Sequence, residues 1–209
     1  MGRPSNPIYI VGKERSRDKP MTSISLDYAI RPAGPADAEA IARVQESSWR
    51  TTYAGLLPAE VIGRVGTAWG PAHWMSRLQR FNSGDFTLVL DHEERGVVGF
   101  CEAGPCRGRA LPYAAEFYRL YLLRDVQGQG HGTCLMASAA RVLLARGLDS
   151  GLVWALATNR AAGQFYAKIN GKQIDRRWQT LFGIRVPESA YAWADLTDLA
   201  GLSPEPSIH

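Results

Sequence analysis

The sequence predicts a mixed α/β (α+β) domain built as one curved sheet with helices on its faces. Three observations lead there. The segments run strand, two helices, two strands, then strand–helix twice, then two strands, an order that a single covered sheet accommodates. The chain has 209 residues, 45% hydrophobic and 21% charged, which suits one compact domain with its own core. A glycine-rich turn, Gln127 to Gly132, joins a central strand to a helix. The expected division is a basic leader over 1–25, a domain over 26–200 and a short tail over 201–209.

Each element has its own signal. Tyr28-Ala29-Ile30-Arg31 reads as a strand ended by Pro32. Gly34-Pro35-Ala36-Asp37 opens a helix, with glycine at the cap, proline first and an acid in the first turn. Ile41, Val44 and Ser48 carry its stripe toward Trp49. Further helical segments cover Leu57–Ile62 and His73–Phe81. Phe86–Leu90 alternates, Asp91–Arg95 turns and Gly96–Cys101 returns, forming a hairpin. Pro105–Pro112 is a loop. Glu116–Leu122 is an aromatic-rich strand. A helix runs from Thr133 to about Arg146, ended by Gly147. Leu152–Thr158 is a buried strand. Asn159 then starts a helix whose Ala162, Phe165, Tyr166 and Ile169 share one face before Asn170-Gly171. Strands near Lys172–Gln179 and Tyr191–Leu196 complete the chain.

Composition narrows the function classes. The net charge is +4, but residues 1–20 hold five of the 24 basic groups and only two of the 20 acidic ones. The remainder is nearly neutral and lacks the basic face that a phosphate backbone requires, so no nucleic-acid partner is expected. No apolar run approaches the roughly 20 residues that cross a bilayer, and the N-terminus does not read as a secretory signal. Three cysteines (101, 106 and 134) fit no disulfide framework, which favours a reducing, cytoplasmic setting. Cys101 and Cys106 with His92 or His131 lack metal-ligand spacing, so no metal is expected.

The most informative stretch is Gln127-Gly128-Gln129-Gly130-His131-Gly132-Thr133. Its glycines let main-chain amides approach an anion, and the helix that follows aims its free N–H groups at the same place. A diphosphate is the natural occupant; a ligand-free strand-to-helix turn is the plainer alternative. A Walker loop would need a lysine before Thr133, and a Rossmann turn a glycine where Thr133 stands. Strand, Gln127-x-x-Gly130-x-Gly132, helix resembles the pyrophosphate loop of the GNAT superfamily of acyl-coenzyme A N-acyltransferases. Asn159-Arg160-Ala161-Ala162-Gly163-Gln164-Phe165-Tyr166 resembles that family's Asn-x-x-Ala-x-x-Phe-Tyr segment. Ile30-Arg31-Pro32-Ala33 with Pro35-Ala36-Asp37 looks like its opening strand and helix. The resemblance covers about residues 28–196. It implies a mostly antiparallel mixed sheet of six to seven strands, flanked by about four helices.

The resemblance also implies chemistry. Acetyl-coenzyme A would be the co-substrate, its pyrophosphate held by Gln127, Gly128, Gln129, Gly130, His131, Gly132 and Thr133. Its pantetheine arm would lie between two parted strands and pair with main chain at Tyr121 and Leu122. An N–H near Leu122 would stabilise charge developing on the thioester oxygen. Asn159 would bond the pantetheine region, or cap its helix, or do both. Tyr166 stands where the family places the acid that protonates the leaving sulfur; packing beside Phe165 is its other reading. Glu116 is placed as the base, or else as a surface carboxylate. Trp49–Tyr53, Trp178 and Phe182 are candidates for an acceptor wall, or for core or dimer contacts. His131 is expected to face solvent or the nucleotide. The acceptor would be a primary amine on a small molecule or a protein, attacked directly in a ternary complex. A homodimer is common among such relatives. The reading from a different class is a non-catalytic acyl-coenzyme A sensor. Asn159 and Tyr166 favour the enzyme.

Overall fold

The computed structural model describes residues 27–79, 84–108 and 111–202. The expected leader, the helix end at Phe81 and the end of the tail lie outside them. The first half runs β1 (Tyr28–Pro32), α1 (Ala38–Thr52), α2 (Ala59–Gly63), α3 (Val65–Ala68), α4 (Pro71–Leu78), β2 (Phe86–His92), β3 (Gly96–Pro105) and β4 (Ala115–Leu122). The second runs α5 (His131–Ala145), β5 (Gly151–Leu156), α6 (Arg160–Lys168), β6 (Lys172–Leu181), β7 (Ile184–Trp193) and α7 (Leu196–Gly201). Among the described residues four helices have eight residues or more: α1, α4, α5 and α6.

The seven strands form one sheet in the order β1-β2-β3-β4-β5-β7-β6. Every pairing is antiparallel except β4 with β5. One core fills the face under α5, α6 and α7, around Phe117, Leu135, Met136, Leu143 and Leu196. A second fills the opposite face under α1 and α4, around Ile41, Val44, Trp74 and Phe100. Burying both faces is why β3 reads as an almost unbroken apolar run.

Local chemistry sets the boundaries. Gly34-Pro35 opens a 3-10 turn over Pro35–Asp37, where Arg31 joins Asp37 (2.8 Å) to Asp91 on β2 (2.8 Å) and so ties β1 to the helix entry. The last strand lies earlier than expected. Phe182 (φ 48°) and Gly183 (φ 90°) form a tight two-residue turn between paired Leu181 and Ile184, so β7 begins at Ile184 and ends at Trp193. Arg185, Pro187 and Glu188 break the apolar alternation there and hide the strand. Leu196 accordingly opens α7, capped by Asp195 Oδ1 accepting from Thr197 N–H (2.7 Å).

The central seam matters most for function. β4 and β5 pair only through Ala115, Glu116 and Phe117 against Gly151, Leu152 and Val153. Beyond them the two strands part. On its other edge β4 carries an extra residue, Tyr118, because Glu102 faces Arg119 while Ala103 faces Phe117. Such a bulge bends and twists the strand that holds it, here just where the parting begins.

Candidate active site

A cavity of about 790 Å³ fills the gap. Tyr118–Leu122 line it from β4, Val153, Trp154 and Ala155 from β5, and the helix starts at Thr133 and Asn159 close one end. Leu123 N–H is committed to Val98 O (2.9 Å), so by strand alternation the main-chain groups of Leu122 face the gap. The Leu122 carbonyl accepts from Ser48 Oγ (3.0 Å) and Gln127 Nε2 (2.9 Å). These two side chains, from α1 and the glycine-rich turn, hold the strand end in place. The Leu122 N–H stands on the same open edge.

The turn after β4 has the backbone chemistry of an anion site. Gly130 caps α5 at φ 84°, a conformation that costs a β-carbon strain. A Cβ on Gly132 would lie 3.3 Å from the Phe165 ring, so glycine there lets α5 close onto α6. Gln127, Gly128, Gly130, Gly132 and Thr133 line the cavity, and α5 is 15 residues long, so its dipole and first amides favour an anion.

Two residues expected in the cradle point elsewhere. Gln129 Nε2 donates to Asp125 O (2.8 Å), and its side chain serves the preceding turn. His131 turns away from both solvent and the cavity: it is buried against Tyr28, ring centroids 4.2 Å apart, with neither ring nitrogen hydrogen-bonded. An unbonded charge there would be costly, and burial pulls its pKa below 6.5. The unfolded chain therefore binds more protons than the folded one just below pH 6.5, and stability falls as pH drops through that value. His131→Phe should weaken this dependence. Urea midpoints of both proteins at pH 7.5 and 5.5 are the check; an equal acid loss in the two would show that His131 plays no part.

Asn159 takes the capping role, one of its two sequence readings. Its Oδ1 accepts from Ala162 N–H (3.1 Å), capping α6, and its side chain lies near the Tyr53 hydroxyl. Tyr53 also neighbours the Tyr121 hydroxyl, which accepts from Trp49 Nε1 (2.9 Å). A row of polar side chains thus reaches from α6 toward α1. Tyr166 is buried, lines the cavity and packs near Tyr191 and Trp193. Burial above all raises the pKa of Tyr53, Tyr121 and Tyr166, so all three hydroxyls stay protonated at neutral pH.

Glu116 is not brought to the cavity. It is 6% exposed, at the paired end of β4, where its carboxylate accepts from Arg107 N–H (3.2 Å), Nε (3.3 Å) and Nη2 (2.6 Å). The strand start that suggested a base is the closed end of the gap. Among the described residues no Asp or Glu lines the cavity; its charged groups are Arg119 and Lys168. Glu116→Gln should keep turnover within about threefold while costing about 1–2 kcal/mol of stability, a modest figure because Arg107 is half-exposed. A hundredfold fall in kcat at unchanged stability would restore the carboxylate to the chemistry.

The aromatic candidates for an acceptor wall fall into two groups. Trp49 packs on Tyr53 (4.6 Å between centroids) and on Trp69 (5.4 Å), and Trp69 meets Phe182 (5.3 Å) at the tip of the β6–β7 hairpin. Arg64 Nη1 donates to Phe182 O (3.3 Å) and fastens that tip to the α2–α3 segment. Trp178 stands apart, 62% exposed beside Arg185. Sequence reading missed Trp69 and Arg119: the first lies in a segment without clear periodicity, the second in a strand read for its glutamate and its main chain.

The pattern of the acetyltransferase (GNAT) domain matches residues 83–170. A protein of Bacillus subtilis (strain 168), described as the uncharacterized N-acetyltransferase YuaI, is 32% identical over 173 residues, covering 83% of this chain and 96% of that protein. The chain belongs to the GNAT family of acetyltransferases. This GNAT acetyltransferase is also 23% identical, over 72% of its length and 91% of the relative's, to the spermidine N(1)-acetyltransferase of Thermoplasma acidophilum. Among solved structures, the PaiA N-acetyltransferase of the same organism, in complex with coenzyme A, superposes with a TM-score of 0.64 at 22% identity. That match covers 78% of the GNAT chain and 97% of the PaiA chain. No helix among the described residues is long and apolar enough to cross a membrane, and no group of three or more His, Cys, Asp or Glu could hold a metal ion.

Proposed function

We propose that the protein transfers the acetyl group of acetyl-coenzyme A directly to a primary amine in a ternary complex. The observation that carries the reading is the continuous cavity between the parted ends of β4 and β5, with an anion cradle at one end and Tyr166 on its wall. The PaiA neighbour, which shares the fold, was solved with coenzyme A. The residues present fit such a ligand: Gly130 and Gly132 keep side chains off the first amides of α5, where a pyrophosphate belongs.

Each group then has a task. The amides from Gln127 to Thr133 grip the pyrophosphate, and the free edge of β4 pairs with the pantetheine amides. The Leu122 N–H donates to the thioester oxygen as charge develops on it. Asn159 fixes the end of the arm. The Tyr166 hydroxyl, protonated at neutral pH, gives its proton to the departing sulfur. With no carboxylate lining the cavity among the described residues, the proton of the attacking nitrogen leaves through water and the tyrosine chain. The amine enters from the α1 side, past Trp49, Tyr53, Trp69 and Phe182. Calorimetry with coenzyme A, followed by thiol release from acetyl-coenzyme A across an amine panel, tests the reading. Binding without thiol release from any amine would favour a sensor, and no binding at all would remove the proposal.

A further inference from the structure

The acceptor half of the cavity carries a positive charge whose donors are only partly used. Arg119 sits on β4 two residues before Tyr121, on the same side of the strand. Its guanidinium lies 5.7 Å from the centre of the Trp69 ring and 5.5 Å from that of Trp74, and its side chain is only 16% exposed. Nη1 donates to Oε2 of Glu102, its neighbour across the strand pair. Glu102, 2% exposed, accepts through its other oxygen from Arg77 Nε, and Arg77 reaches on to Asp85 (3.2 Å). The carboxylate is therefore shared by two arginines. Among the described residues Arg119 makes no other hydrogen bond, so four of the five N–H donors of its guanidinium remain.

The surroundings sharpen the point. Arg119 lines the cavity, and no Asp or Glu does. The nearby carboxylate of Glu188 is already held by Arg177 Nε (2.8 Å). A polycationic acceptor would meet a fixed cation here and, among the described residues, no carboxylate lining the cavity to hold its second charge. An acceptor with its own anion would find a planar donor fork, partly desolvated between two indoles, where charge-assisted bonds are strongest. A positive charge beside the incoming nitrogen also favours the neutral, attacking amine over the ammonium.

We propose that Arg119 binds a carboxylate carried by the acceptor, so that the substrate is a small amino acid presenting its amine to the thioester. This rests on the acetyltransfer reading above and names the acceptor class for the same site. The trp-flanked guanidinium orients the acceptor, and Leu122 and Tyr166 act on the acetyl donor. The test compares kcat/KM for α-, β- and γ-amino acids with that for their carboxamides, and for spermidine, using the full chain. The wild type should prefer the best acid to its carboxamide by about 10- to 100-fold, the range expected when a charged hydrogen-bonding partner is deleted from a buried site. Arg119→Gln should collapse that ratio toward one by raising KM for the acid, and Arg119→Lys should restore only part of it. A wild type that prefers carboxamides or spermidine overturns the proposal and leaves acetyltransfer standing. Failure to bind coenzyme A, measured first by calorimetry, removes both.

Discussion

Gly130→Val is expected to abolish coenzyme binding, with a loss in affinity of more than about 100-fold, or some 2.7 kcal/mol. Two effects combine. Gly130 caps α5 at φ 84°, where a β-branched side chain is strained. The new isopropyl group would also stand among the first amides of the helix, where the pyrophosphate should lie. The two effects separate experimentally. Strain appears as a lower urea midpoint, obstruction as absent heat in a titration of folded variant with coenzyme A. Wild-type affinity in a folded variant would remove the turn from the binding site.

The second large effect is expected at Tyr166. Tyr166→Phe keeps the ring that packs near Tyr191 and Trp193 but removes the hydroxyl. If that hydroxyl protonates the leaving sulfur, kcat should fall by about 100- to 1,000-fold while coenzyme affinity changes by less than about twofold. Burial raises the hydroxyl's pKa, so in the wild type no loss of activity from its ionisation is expected near neutral pH. A parallel loss of affinity and turnover would make the tyrosine a packing residue, and an unchanged kcat would assign the proton to another donor.

Much of this architecture is legible in the residues because local signals agree with the tertiary result. Gly34-Pro35 announces a helix entry, two apolar segments around the polar turn at 91–95 announce a hairpin, and Asn159 with Ala162, Phe165 and Tyr166 marks a capped amphipathic helix. The illegible parts depend on neighbours distant in sequence. Glu116 looks like a base only until Arg107 takes its carboxylate across a loop. His131 looks like a ligand contact until Tyr28 covers it from the opposite edge of the sheet. The extent of β7 depends on a Phe182-Gly183 turn flanked by charged residues and a proline, which mask its period-two pattern. Arg119 and Trp69 become conspicuous only when α3, α4 and β4 converge, since neither carries a motif.

Three residue pairs are all that stitches β4 to β5, with strands β1–β4 on one flank of the seam and β5–β7 on the other. A long ligand seated in that seam would act as mortar, lending its amides to the two exposed strand margins and holding the flanks together. Substrate capture and consolidation of the sheet would then be one event, and the protein would be at its most rigid while loaded.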